Sequence, residues 1–318
     1  MGSDSGSKPK IVFLDSRTLN PGDVDVSELE KLGVLTFYES TSQNLVVERC
    51  QDAQIIISNK VKLTKEIIDA LPQLKMIQIA ATGMNNVDVE FAKSKGIHVC
   101  NVVGYSTSSV AQHVFAMILA HLNQCESYFA ESNNKEWSKK SDFSYWHKPI
   151  DELQDKTFGV WGFGKIGQAV ARIAVAFGMK VIAVNKYPER LSIDDVENVS
   201  VQELLESADF LSLHTPLNDQ TFEMINGESI SIMKKTAVII NTGRGQLINE
   251  MALAQALDEG IISAALLDVL SMEPPAEDHV LLSTQNAFIT PHQAWASLPA
   301  RRRLLKGIVE NISSFLIR

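Results

Sequence analysis

Only three cysteines occur in 318 residues, Cys50, Cys100 and Cys125, and they are widely scattered. That scarcity excludes a disulfide framework and a cysteine-based zinc site, and it fits a reducing, cytoplasmic setting. Basic charge is also short: 29 Lys and Arg against 38 Asp and Glu leave a net charge of -9. Neither nucleic acid nor a membrane surface is an expected partner of such a chain. No apolar run approaches the roughly 20 residues that span a bilayer. The opening Met1-Gly2-Ser3-Asp4-Ser5-Gly6-Ser7 lacks the apolar core of a signal peptide and reads as a cloning remnant. Internal repeats and low-complexity tracts are missing too, which sets solenoids and arrays aside. What remains is an ordinary globular composition, 45% apolar and 21% charged, long enough for two domains.

Short β-prone runs alternate with helical patterns from end to end, which predicts an α/β fold of parallel sheets flanked by helices. Early strands are expected over 11–14, 55–57, 76–79 and 98–100, with helices over 64–71 and 87–95 between them. A long helix is expected over 108–123, followed by a polar, aromatic-dotted loop that ends in Trp146-His147-Lys148-Pro149. Further strands are expected over 157–161, 181–184, 210–213, 237–240, 264–267 and 287–290. Helices are expected over 201–207 and 250–259, and a final one over 300–316 needs a surface to bury Leu304, Leu305, Ile308 and Ile312.

The most informative segment is Gly162-Phe163-Gly164-Lys165-Ile166-Gly167, set between the strand at 157–161 and a helical pattern that Gly178 stops. A dinucleotide pyrophosphate needs that context. The first glycine makes the tight turn, the second lets the backbone approach the phosphates, and the third lets helix pack on strand. Lys165 and Ile166 then carry backbone amides at the helix N-terminus, where an anion is held. The first segment of the chain lacks a second turn of this kind, which predicts a separate, smaller α/β domain there.

Three later segments follow strands, at the sheet ends where ligands bind in open α/β folds. They are Asn241-Thr242-Gly243-Arg244-Gly245, the run from Asp268 through Glu273 to Pro275, and Thr290-Pro291-His292-Gln293-Ala294-Trp295. An Arg, a Glu and a His there offer an anion clamp, an orienting carboxylate and a proton donor. Together with the glycine turn, these segments resemble the D-isomer-specific 2-hydroxyacid dehydrogenases over nearly the whole chain. The resemblance implies two Rossmann-like, doubly wound parallel-sheet domains, the larger binding the dinucleotide and the smaller flavodoxin-like and discontinuous. Residues 1–103 and 288–318 would form the substrate domain and 104–287 the dinucleotide-binding domain.

The resemblance also implies roles at matching positions. Arg244 would bind the substrate carboxylate and polarise its carbonyl, since its planar fork holds two oxygens at once. His292 would protonate the carbonyl oxygen as hydride arrives, and Glu273 would fix the imidazole tautomer and favour its charged form. The backbone of Thr82, Gly83 and Met84 matches the family's substrate-carboxylate turn, with Thr82 also near the cofactor. Thr215, Thr242 and Gly243 would line the cofactor cleft, and Asp268 would grip the nicotinamide amide.

NAD-preferring enzymes place an acid some 20 residues after the glycine turn to bind the ribose hydroxyls. Asn185 stands there instead, followed by Lys186. Asn can bond a hydroxyl but does not repel a 2′-phosphate, and Lys would attract one. The expectation is therefore NAD(H), with NADP(H) poorly excluded. The segments around 143–153 and 290–297 look most like the glycerate dehydrogenase (hydroxypyruvate reductase) branch. That favours hydroxypyruvate to D-glycerate or glyoxylate to glycolate, with D-lactate, phosphoglycerate or other 2-keto acid chemistry left open. Family habit also implies a homodimer through the helix after Ser108 and its aromatic loop. Two other classes share the glycine turn, an NAD-sensing scaffold or corepressor and an S-adenosylmethionine-binding protein. The lack of long disordered tails beyond the first residues weighs against the first, and the Arg, Glu and His set against the second.

Overall fold

The computed structural model describes residues 8–185, 193 and 195–317. It forms two compact units: one runs to Ser106 and resumes at Trp295, and the other is Thr107–Ala294. The expected junctions near 103 and 288 therefore move to 106/107 and 294/295. The physical reason is pairing. A cut at 288 would split a strand, Ala287–Ile289, that lies in register with Ala264–Leu267.

In the first unit β1 (Lys10–Phe13), β2 (Val34–Phe37), β3 (Ile55–Ser58), β4 (Met76–Ile79) and β5 (His98–Cys100) make one parallel sheet. Its order, β2-β1-β3-β4-β5, is the flavodoxin-like winding. The central β3 and β4 are buried at every residue, as a parallel sheet covered on both faces requires. The last helix, Leu298–Leu316, covers one face by burying Leu304, Leu305, Ile308 and Ile312 against Ile11, Phe13, Ile55 and Ile57. Burying four such side chains is worth on the order of 10 kcal/mol, the scale of a domain's whole net stability. Ser297 caps the helix by accepting from Ala300 N at 3.4 Å. Arg301 anchors it by a bidentate pair with Asp23, at 2.5 and 2.7 Å, and a bond to the Leu19 carbonyl at 3.0 Å.

In the second unit β6 (Thr157–Trp161), β7 (Lys180–Val184), β8 (Val196–Asn198), β9 (Phe210–Leu213), β10 (Val238–Asn241), β11 (Ala264–Leu267) and β12 (Ala287–Ile289) form a parallel sheet. The order is β12-β11-β10-β9-β6-β7-β8, so the winding reverses between β6 and β9. That switch point is where a doubly wound sheet opens a crevice at its carboxyl ends. The helices Thr107–Asn123 and Lys165–Ala176 pack over one face around Val114, Ile118, Phe158, Val170 and Ala174.

Two edge strands and one longer helix are among the elements that the sequence pattern did not mark. β2 and β8 are edge strands whose residues are mostly exposed, so they carry little of the apolar signal that marks buried strands. The segment expected as a loop after the long helix instead contains a helix, Cys125–Asn133, which buries no residue and so shows no periodicity to read.

Candidate active site in the dinucleotide-binding unit

The glycine turn leaves β6 and enters the helix Lys165–Ala176, with Gly164 at the N-cap. Each glycine answers to a different constraint. Gly162 has φ of 101°, and a Cβ there would lie 2.6 Å from the His214 carbonyl carbon and the Thr215 nitrogen. A Cβ on Gly167 would lie 2.2 Å from the Gly162 oxygen and 3.1 Å from Val160, so helix meets strand only through a hydrogen. A Cβ on Gly164 would meet nothing within 4 Å. That open space lies over a helix N-terminus, whose first amides have no intrahelical acceptor. The turn is held in place by Gly162 N donating to Val184 O at 3.0 Å and His214 N to Trp161 O at 2.7 Å.

Across the switch point, β9 is followed by His214 and Thr215, both half-buried. Burial pushes the His214 imidazole down to about 4, and its Nε2 lies 2.8 Å from Ser212 Oγ. At the end of β10 the Thr242 hydroxyl is buried with no hydrogen-bond partner. An orphaned buried hydroxyl is costly in a finished structure and points to a ligand that completes it. Open space at Gly164 and this hydroxyl together fit a dinucleotide. Asn185, half-buried, directly follows β7, whereas Lys186 lies outside the described residues.

The loop after β10 presents Arg244. Asn241, fully buried, braces it by accepting from Gly243 N at 2.9 Å and donating to Arg244 O at 2.8 Å. Arg244 Nη1 donates to Gly243 O at 2.7 Å. Gly245 is required next, because a Cβ there would lie 1.9 Å from the Leu270 carbonyl carbon and 2.1 Å from Ser271 N. The Arg244 loop and the segment after β11 are therefore in backbone contact.

His292 and Glu273, far apart in sequence, meet. His292 Nδ1 lies 2.5 Å from Glu273 Oε2, and Glu273 Oε1 accepts from Leu270 N at 3.2 Å. His292 sits at a φ of 50°, in the left-handed region that a non-glycine residue occupies only when its surroundings impose it. Its nitrogen donates to the Asp268 and Thr290 carbonyls, both at 2.9 Å. The Asp268 carboxylate, 1% exposed, accepts from Thr290 Oγ1 at 2.6 Å and from Gln293 N and Ala294 N at 2.9 Å. With three donors on its roughly four lone-pair directions, Asp268 is first of all the brace of the His292 loop, and little capacity is left for a ligand amide. His113 was given no role from sequence. It stands inside this brace, with Nε2 3.0 Å from Thr290 Oγ1 and 3.4 Å from Asp268. Its signal was a polar residue within the apolar face of the long helix.

Thr82, Gly83 and Met84 belong to the other unit, in the turn after β4, where Thr82 and Met84 are exposed. Thr82 Oγ1 donates to Val102 O at 3.1 Å, and Asn101 Nδ2 to Thr82 O at 2.6 Å. Asn86 Nδ2 ties the far end of the turn to Val61 O at 3.1 Å. Asp15, whose carboxyl burial raises, holds the 59–61 loop through three backbone amides, at 2.8, 2.6 and 3.1 Å. Trp146 is 63% exposed, while Trp295 packs edge-on against Tyr105 at 6.3 Å.

Residues 115–294 match the family model described as "D-isomer specific 2-hydroxyacid dehydrogenase, NAD binding domain". The chain is 40% identical over 311 residues to a hydroxypyruvate reductase of Blautia hydrogenotrophica, covering 96% of this chain and 97% of that one. The chain belongs to the D-isomer specific 2-hydroxyacid dehydrogenase family. It is 36% identical to a glycerate dehydrogenase of Methylorubrum extorquens, with 96% of each chain covered. It also superposes on an acyclic imino acid reductase solved with NADPH and D-Arg, at a TM-score of 0.84, 32% identity and 97% coverage of both chains. As a member of this family it is an NAD(P)-dependent oxidoreductase acting on the CH–OH group of D-2-hydroxy acids and on the matching 2-keto acids. The glycine cradle and the orphaned Thr242 lie within the NAD-binding segment that the family model covers.

Proposed function

We propose that this dehydrogenase reduces hydroxypyruvate to D-glycerate, with glyoxylate to glycolate as its second reaction. The observation that carries the reading is the His292–Glu273 pair at 2.5 Å, on a backbone that Asp268 holds in place. The choice of substrate leans on the likeness to a hydroxypyruvate reductase and a glycerate dehydrogenase.

NADH, when bound, supplies the hydride. His292 holds the proton destined for the carbonyl oxygen at Nε2, because Nδ1 is engaged with Glu273. A carboxylate accepts and does not donate, so Glu273 keeps a proton on Nδ1 and fixes the ring's orientation. Arg244 binds the substrate carboxylate and polarises the carbonyl, and the backbone of Thr82, Gly83 and Met84 takes up carboxylate oxygens. Gly162, Gly164, Lys165, Ile166 and Gly167 cradle the pyrophosphate, Thr215, Thr242 and Gly243 line the cleft, and Asp268 gives its remaining lone pair to the nicotinamide amide. Asn185 bonds the adenosine ribose without repelling a 2′-phosphate, so NADPH is also accepted. The NADPH-bound relative supports that tolerance.

The assembly is a homodimer. Phe129, Trp137, Phe143 and Trp146 are 53–90% exposed along the segment after the long helix, an apolar surface that a second copy would cover. Cys50, Cys100 and Cys125 are joined by no disulfide, which supports a cytoplasmic location. NADH oxidation measured with hydroxypyruvate, glyoxylate, pyruvate and phosphohydroxypyruvate tests the substrate. A higher kcat/KM for pyruvate or phosphohydroxypyruvate than for hydroxypyruvate overturns the assignment.

A further inference from the structure

Behind the His292–Glu273 pair lies a second cluster of ionisable groups that the chemistry above does not use. Glu250 opens the helix Glu250–Asp258, and its side chain is 13% exposed. Its Oε1 accepts from Ser271 N at 2.7 Å, and Oε2 accepts from Ser271 Oγ. The same Oε2 lies 3.1 Å from Nε2 of His279, itself 12% exposed. One carboxylate thus grips both ends of the loop that runs from Ser271 to His279 and carries Glu273 between them. Ser271 is held from a third side, its carbonyl accepting from Gln246 Nε2 at 2.9 Å. Gln246 and Gly245 belong to the loop that presents Arg244, and Gly245 touches the Leu270–Ser271 backbone so closely that no Cβ fits.

We propose that Glu250 is a positioning residue for catalysis. It sets the register of the Glu273 loop against both the Arg244 loop and His292. Placing a nearly buried carboxylate costs desolvation, which three donors offset here. Ser271 N and Ser271 Oγ are both donors, and Glu250 is acceptor-only, so its proton partner on His279 is Nε2–H. Nδ1 of that ring is buried without a partner. A histidine kept at that cost is placed for the bond it makes to Glu250. Glu273 itself accepts from Leu270 N and pairs with His292 Nδ1. Releasing the loop stem moves the backbone that carries this carboxylate, and a proton donor's orientation tolerates only about 0.5 Å of displacement.

The inference rests on the paired roles of His292 and Glu273, and the test separates the two ideas. Glu250→Gln, Glu273→Gln and the double variant are compared in full-length protein with NADH and hydroxypyruvate. The readings are kcat, KM, the pH–rate profile, the NADH Kd by fluorescence and the melting temperature. Glu250→Gln must present an amide to one of the donors it now accepts from. It is expected to lower kcat about tenfold, to move the basic limb of the profile in the same direction as Glu273→Gln, and to leave the NADH Kd unchanged. The double variant is expected to be no slower than Glu273→Gln alone, because residues acting through one another are not additive. Ser271→Ala, which keeps the backbone bond, is expected to give a smaller effect of the same kind. A profile superposing on wild type, with a lower melting temperature and multiplicative loss in the double variant, would make Glu250 merely structural and overturn the proposal. If Glu273→Gln itself leaves rate and profile unchanged, the paired-role reading falls and the positioning role falls with it.

Discussion

At the scale of single residues, the site is a set of hydrogen bonds whose removal has calculable signs. His292→Ala removes the proposed proton donor and is expected to lower kcat by about 10²–10⁴-fold, with NADH binding measured by fluorescence close to normal. Arg244→Lys replaces a planar fork by a point charge, and losing one charge-assisted bond of about 1.5–3 kcal/mol predicts a ten- to hundredfold fall in kcat/KM. His214 gives a pH dependence of stability. Its imidazole is pushed down to about 4 in the fold by burial, against roughly 6.5 in an unfolded chain. The unfolded chain therefore takes up the proton first as pH falls. Stability is full above about pH 6.5 and is lost progressively toward pH 4, by up to roughly 3 kcal/mol for this group. His214→Gln, compared with wild type in urea melts at pH 7 and pH 5, is expected to flatten that difference; equal slopes would refute it. The residues named from sequence were those whose chemistry is legible in type and local context, such as an Arg between glycines. His113 and Glu250 were not legible, because their partners lie far away in sequence.

At the scale of elements, β2, β8 and the helix Cys125–Asn133 went unmarked in the sequence and share a property: each is largely exposed. Apolar periodicity reports burial, and an element that buries little leaves little pattern. The central strands and the last helix were legible for the opposite reason. Leu304→Ala in that helix should cost about 2–5 kcal/mol, since the side chain is fully buried against the first sheet; a chemical melt would measure it. The glycine turn belongs to this scale too. Gly162→Ala puts a Cβ 2.6 Å from two backbone atoms at a positive φ, so the β6–helix junction itself must shift. Lower stability and weakened NADH binding are expected together.

At the scale of the whole molecule, cofactor choice and assembly each turn on a few side chains. Asn185→Asp should raise the ratio of kcat/KM for NADH over NADPH by about tenfold or more, the equivalent of 1.4 kcal/mol of like-charge repulsion at a 2′-phosphate. Sedimentation of wild type and of a Phe143→Ser, Trp146→Ser variant tests the dimer, which the exposed aromatic segment is expected to hold. An unaltered dimer in the variant would move the interface elsewhere. From amino-acid order alone came the alternating α/β class, the dinucleotide turn and the Arg, Glu and His set, because each is written in short runs with their own periodicity or chemistry. Strand order, the exact junctions at 106/107 and 294/295, and the braces around His292 and Glu273 needed the folded chain. They depend on which distant segments pair, and pairing between parallel strands is set by packing over the entire sheet rather than by any local signal.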